Sequence, residues 1–203
     1  MNLVYTDTLR DNSIVMTSLN IKECGMRLFG FTFLLALMSM LTFAKADVLQ
    51  LDTMAPDFTL QDQAGEAHEL TDYQGQWIVL YFYPKDDTPG CTTEACAFRD
   101  EYKVLSELNT QILGVSLDSK ESHADFAQKY SLPFPLLADI EGKVAEQYGA
   151  LASLGPIKFA KRHTVIINPE GKIKKVYRSV NASRHSQEVI NDLKLLRAEE
   201  RSH

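Results

Sequence analysis

Trp77-Ile-Val-Leu-Tyr-Phe-Tyr83, continuing as Pro84-Lys-Asp-Asp-Thr88-Pro89-Gly90-Cys91-Thr-Thr-Glu94-Ala-Cys96, is the stretch on which the reading of this chain turns. An unbroken apolar run of strand length reads as a buried strand, and the Pro- and Gly-containing segment behind it as a tight turn into a helix. That places a cysteine at a helix start. A thiol does chemistry as its thiolate, and a helix N-terminus favours that anion through unpaired N–H groups and the macrodipole. Cys96, five positions on, gives Cys91 an oxidation partner in the same segment. The pair points to redox chemistry.

Working outward, Thr92 to about Asn109 carries Ala95, Phe98, Tyr102, Leu105 and Leu108 at helical spacing and reads as one helix. Ile112–Leu117 reads as a second buried strand. Ser119–Tyr130 follows as a helix with Ser119 as N-cap and Glu121 in its first turn, closed by Pro133 and Pro135. Phe134–Ala138 is a short strand and Gly142–Tyr148 a short helix. His163–Asn168 and Lys172–Arg178 flank Pro169-Glu-Gly171 as a hairpin, and Arg184–Arg197 makes a last helix. At the front, Asp57–Gln61 and Ala67–Leu70 form another hairpin across Asp-Gln-Ala-Gly65. Strands alternating with helices define an α/β domain.

The 203 residues suffice for one domain and an appendage. At the N-terminus, Met26-Arg27 precedes the apolar run Leu28–Ala44, and Ala44 and Ala46 flank Lys45. A basic start, an apolar centre and small residues at the end are the parts of a secretory signal, with cleavage expected after Ala46. An uncleaved membrane anchor over 28–44 is the alternative. Residues 1–25 then lie on the wrong side of the signal, and translation is expected to begin at Met26. The organisation is therefore 1–25 non-structural, 26–46 signal or anchor, and 47–203 the working domain, exported to the periplasm or an equivalent compartment.

Export discards Cys24 and leaves Cys91 and Cys96 as the only thiols, in a compartment where a dithiol persists as a disulfide unless something reduces it. The chain carries a net charge of −6, and the domain after residue 46 is still acidic. Without a basic run it has little electrostatic reason to bind nucleic acid or anionic lipid. His68, His123, His163, His185 and His203 show no metal-ligand spacing, and no phosphate loop or dinucleotide fingerprint occurs. No metal or cofactor is expected. Electrons must come from another thiol.

Phe82-Tyr-Pro84, Thr88-Pro-Gly-Cys91-Thr-Thr-Glu94-Ala-Cys96, Phe98-Arg-Asp100 and Arg162-His-Thr-Val-Ile-Ile-Asn-Pro-Glu-Gly171 together resemble the bacterioferritin-comigratory, or Q-type, peroxiredoxins. The resemblance covers about residues 54–197. It implies a thioredoxin-like fold, a central mixed β-sheet flanked by helices with an N-terminal β-hairpin extension, and thiol-dependent reduction of hydrogen peroxide and organic hydroperoxides. It also implies roles. Cys91 is the peroxidatic nucleophile, Cys96 the resolving cysteine, and Pro84, Thr88 and Arg162 complete the site. The partners implied are a hydroperoxide and thioredoxin, or an exported thioredoxin-like reductant, acting on a monomer.

In such a site the helix N-terminus and the Arg162 guanidinium would activate Cys91. Thr88 and the loop N–H groups would hold the two peroxide oxygens, and Pro84 would shield the sulfenic acid. Arg162 by itself reads as surface charge at a strand start, and Cys96 as a small buried hydrophobe. Along an intact helix the two cysteine Cα atoms lie roughly 8–9 Å apart, and a disulfide needs less than about 7 Å. Residues 89–98 are therefore expected to unwind on oxidation. Glu94 is assigned to the first helical turn, complementing the dipole, with pairing to a site arginine as the lesser role. Arg99 and Asp100 read as surface and packing charges. The apolar segment Ala150–Ala160 is expected to be a lid or a partner surface. Two other readings compete: a thiol–disulfide oxidoreductase, although no Cys-x-x-Cys occurs, and a peroxide-responsive redox sensor.

Overall fold

The computed structural model describes residues 49–202. The signal or anchor expected over 26–46, the upstream segment 1–25, Cys24 and His203 lie outside the described residues. In chain order the elements are β1 (Thr59–Gln61), β2 (Ala67–Glu69), β3 (Trp77–Phe82), α1 (Pro89–Asp100), α2 (Tyr102–Glu107) and β4 (Thr110–Ser116). They continue as α3 (Lys120–Tyr130), β5 (Leu136–Ala138), α4 (Lys143–Gln147), β6 (Leu151–Leu154), β7 (Ile157–Ala160), β8 (His163–Ile167), β9 (Ile173–Tyr177) and α5 (His185–Glu200). Seven strands form one mixed sheet in the order β2-β1-β5-β4-β3-β8-β9. The neighbours β3, β4 and β5 pair in parallel, because a helical crossover separates each from the next, and the other pairs are antiparallel.

β3 is an interior strand, between β4 and β8, with every residue buried. Side chains alternate across a strand, so Trp77, Val79, Tyr81 and Tyr83 enter a core shared with α1, α2, α3 and α5. Ile78, Leu80 and Phe82 enter the opposite core, closed by α4, Tyr148 and Ala160. Burial on both faces explains why the run is continuous rather than alternating. The thioredoxin-like architecture expected above, with its N-terminal hairpin β1–β2, is the one observed.

One reading of the elements is corrected. The single helix expected over Thr92–Asn109 is two, because Glu101 takes bridge-region angles (φ −97°, ψ 4°) between α1 and α2. Its carboxylate accepts from Gln187 of α5, a tertiary contact that local spacing does not report. The 150–160 segment is a separate two-stranded hairpin, β6–β7, that turns at Gly155 with φ 59°. Leu154 and Ile157 at its tip are 75% and 64% exposed.

Candidate active site

α1 begins two residues ahead of Cys91 rather than after it. Pro89 occupies the first helical position, where its missing N–H costs nothing and its fixed φ suits the helix. Cys91 therefore sits in the first turn, where backbone N–H groups have no intrahelical acceptor, and it is only 1% exposed. Thr88 is the N-cap residue, with extended backbone (φ −91°, ψ 149°). Its hydroxyl does not cap the helix but donates to the Lys85 carbonyl at 3.0 Å. The proton of that hydroxyl is committed, and its lone pairs remain to accept from a ligand.

Arg162 comes from a segment distant in sequence that leads into β8, the strand beside β3. It precedes β8 by one residue, and period two puts it on the face that Thr164 and Ile166 present to α1, Ile166 packing in the same core as Cys91. Its Nη2 donates to Cys91 Sγ at 3.1 Å and its Nη1 to Glu94 Oε2 at 2.6 Å. Burial works against the guanidinium's charge, but Cys91 and Glu94 outweigh it and hold the Arg162 pKa above the ordinary arginine value. The thiol and its cation thus meet across 71 residues of sequence.

Glu94 is a correction. It lies in the second turn, α1 has no acidic residue in its first turn, and Glu94 is 1% exposed, so a dipole role gives way to the ion pair. Burial raises its carboxyl to a pKa of about 7, against the opposing pull of Arg162. Gly90 was not singled out from the sequence. A Cβ there would stand 2.7 Å from Arg162 Nη2, so glycine before Cys91 lets the guanidinium take this position without being pushed aside. The signal was present in Pro89-Gly90-Cys91, but its reason is the approach of a distant strand.

Cys96 lies on the same unbroken helix, half-buried, and both cysteines are free thiols. Pro84 is half-buried at the exit of β3. Arg99 is a packing charge, as expected: it binds Asp100 and donates to the Tyr130 carbonyl at 2.8 Å, tying α1 to the end of α3. Elsewhere Asp62, Glu66 and His68 come together in the β1–β2 hairpin, which spacing did not suggest. There the Asp62 carboxylate accepts from the Ala64 and Glu66 N–H groups and lies 3.1 Å from His68 Nε2, as a turn staple does.

The AhpC/TSA family profile matches residues 51–176. Peroxiredoxin Bcp of Bacillus subtilis is 44% identical over 150 residues, 72% of this chain and 96% of its own. The chloroplastic peroxiredoxin Q of Sedum lineare is 41% identical over 144 residues, 70% and 75% of the two chains. Among solved structures, peroxidoxin BcpB of Mycobacterium tuberculosis superposes with a TM-score of 0.69 at 33% identity, covering 72% of this chain and 97% of that one. With a thiol, a guanidinium and a helix N-terminus meeting at one point of a thioredoxin-like sheet, the chain belongs to the AhpC/TSA family. Within it, the likeness is to the Bcp and Q-type peroxiredoxins, and the enzyme class is that of a thiol-dependent peroxidase.

Proposed function

We propose that Cys91 and Cys96 carry out a two-step peroxide reduction with Thr88, Arg162 and Pro84 completing the site. The Cys91 thiolate attacks one peroxide oxygen, the O–O bond breaks, and hydroxide or alkoxide leaves with a proton as water or alcohol. Cys91 is left as a sulfenic acid. The Cys96 thiolate then attacks that sulfur, water leaves, and a disulfide forms. A thioredoxin-type dithiol returns both cysteines to thiols by exchange. The observation that carries this reading is the 3.1 Å contact of Arg162 Nη2 with the buried Cys91 sulfur in the first turn of α1.

Each partner has a physical task. Arg162 and the first-turn N–H groups stabilise the thiolate and then the charge that develops on the peroxide oxygens. Thr88 accepts from the peroxide hydroxyl with the lone pairs that its bond to Lys85 leaves over. Pro84 limits access of further oxidant to the sulfenic acid. Glu94 fixes the guanidinium plane by holding Nη1 while Nη2 faces sulfur.

The test is intact mass with disulfide mapping of the reduced protein after one equivalent of hydrogen peroxide at neutral pH. Rapid loss of two hydrogens with a Cys91–Cys96 link is expected. In Cys96→Ser the product should instead be Cys91 sulfenic acid, and a wild-type-like disulfide in that variant would refute the resolving role.

For residues 26–46 the proposal is export, supported by the basic, apolar and small-residue order of Met26–Ala46. An N-terminus at Asp47 in the mature protein is the expected result of sequencing it, and an intact 28–44 segment in the membrane fraction would favour the anchor. Export also asks for an exported reductant, since a cytosolic thioredoxin would be in the wrong compartment. A monomer is proposed, to be checked by light scattering.

A further inference from the structure

The loop between β3 and α1 carries two consecutive aspartates that the reaction itself does not use. Asp86 is buried, and three side chains converge on its carboxylate. Tyr83 Oη donates to Oδ1 at 2.7 Å, Ser122 Oγ donates to Oδ2 at 2.7 Å, and His123 Nδ1 lies 2.8 Å from Oδ2. The Asp86 N–H donates to Asp118 Oδ2 at 2.9 Å, and Ser116 Oγ donates to that same oxygen at 2.7 Å. The next residue, Asp87, has a left-handed φ of 53°, and its carboxylate accepts from Lys129 Nζ and Tyr130 Oη.

A buried carboxylate with three side-chain partners is expensive to disturb and therefore rigid. Its partners lie just past the end of β3 and on α3, and the Asp118 bond reaches back from just past the end of β4. None lies on α1. Between these anchors and Cys91 stand only Asp87, Thr88, Pro89 and Gly90. The Thr88 hydroxyl donates back to Lys85, so it is held to the anchored segment and not to the helix. The loop keeps its shape through fixed parts of the fold, while the helix behind it has to unwind.

We propose that Asp86 is a positioning residue for peroxide reduction: its carboxylate, held by Tyr83, Ser122 and His123, fixes the Pro84–Thr88 loop so that Thr88 and Cys91 meet the same peroxide. This rests on the site roles proposed above. Asp86 does not touch Cys91, Arg162 or Glu94, so it acts on the arrangement of the peroxide cup and not on the activation of the thiol. An ångström of misplacement in such a cup is costly to rate.

The experiment compares two reactions of Cys91 in a Cys96→Ser background, so that only the first step is observed. One is oxidation by hydrogen peroxide, read as sulfenic acid by quench and intact mass. The other is alkylation by iodoacetamide, which needs the thiolate but not the cup. Asp86→Asn should lower the peroxide rate constant by about tenfold or more and the alkylation rate by less than about threefold. Equal falls in both, or an unchanged peroxide rate, would overturn the proposal. Should Asp86→Asn fail to fold by circular dichroism, Ser122→Ala removes one donor of the three and decides the question. It should slow the peroxide reaction alone, and parallel loss or no loss would again overturn the assignment. If the parent itself does not consume peroxide, the site roles fail, which is a different result from a fast parent with an unaffected Asp86→Asn.

Discussion

Two side chains and one missing side chain set the character of the site. Gly90→Ala adds a methyl group where Arg162 Nη2 stands 2.7 Å away, while alanine is the better helix former by up to about 1 kcal/mol. The two effects have opposite signs. Stability measured by urea should hold or rise, and the rate of Cys91 oxidation should fall by about tenfold as the guanidinium is displaced. A variant equally fast with peroxide would show that the contact is dispensable. Glu94 gives a pH signature. Its pKa is raised from 4.5 unfolded to about 7 folded, chiefly by burial. The folded state therefore binds this proton more tightly, and the associated stability is complete below pH 4.5 and lost as pH rises through about 7. The loss is on the order of 3 kcal/mol. Glu94→Gln keeps an acceptor for Arg162 but cannot titrate, so unfolding titrations at pH 4.5 and 7.5 should differ less for the variant than for the parent.

At the scale of elements, α1 has a weak beginning and a firm end. Its first residues are Pro89 and Gly90, and Thr93 Oγ1 adds a side-chain bond to the Pro89 carbonyl at 2.8 Å, of the back-bonding kind that slightly weakens a helix. Its far half is held by Phe98, fully buried with ring centroids 5.0 Å from Tyr81 and 5.6 Å from His185, and by the Arg99 bond to Tyr130. Unwinding expected over 89–98 should therefore stop short of Phe98. Forming a Cys91–Cys96 disulfide should increase amide hydrogen exchange across 90–97 and leave 98–100 and α3 protected. Protection unchanged in the oxidised protein would mean that the cysteines bond without unwinding, against the reach of an intact helix.

For the molecule as a whole, the sheet is a partition whose two faces have separate cores, and the reactive cysteine belongs to one of them. Phe98→Ala should cost about 3–5 kcal/mol in denaturant unfolding, because it empties a fully buried position between α1, α5 and β3. Ile157→Lys at the tip of the β6–β7 hairpin should stay within about 0.5 kcal/mol of the parent, since that side chain is 64% exposed. A large loss there would reveal a contact made in solution by this hairpin.

The elements whose signals are local were legible from the residues alone. Trp77–Tyr83 needed only its unbroken apolar run, the β8–β9 hairpin only Pro169-Glu-Gly171, and α3 only Ser119, whose hydroxyl accepts from the Ser122 N–H as expected of a cap. Cys91 was legible because a strand, a turn and a helix start are neighbours in the chain. What folding alone decided involves partners far apart in sequence. Glu94 became half of an ion pair because Arg162 arrives on another strand, and burial then outweighed the dipole that local position suggested. The break at Glu101 answers to Gln187, the close approach at Gly90 is made by a guanidinium from another strand's entry, and Asp86 is anchored by an α3 that spacing could place but not dock. Periodicity reports which face a residue occupies. Only the packed sheet decides which charge, thiol or methyl group it meets there.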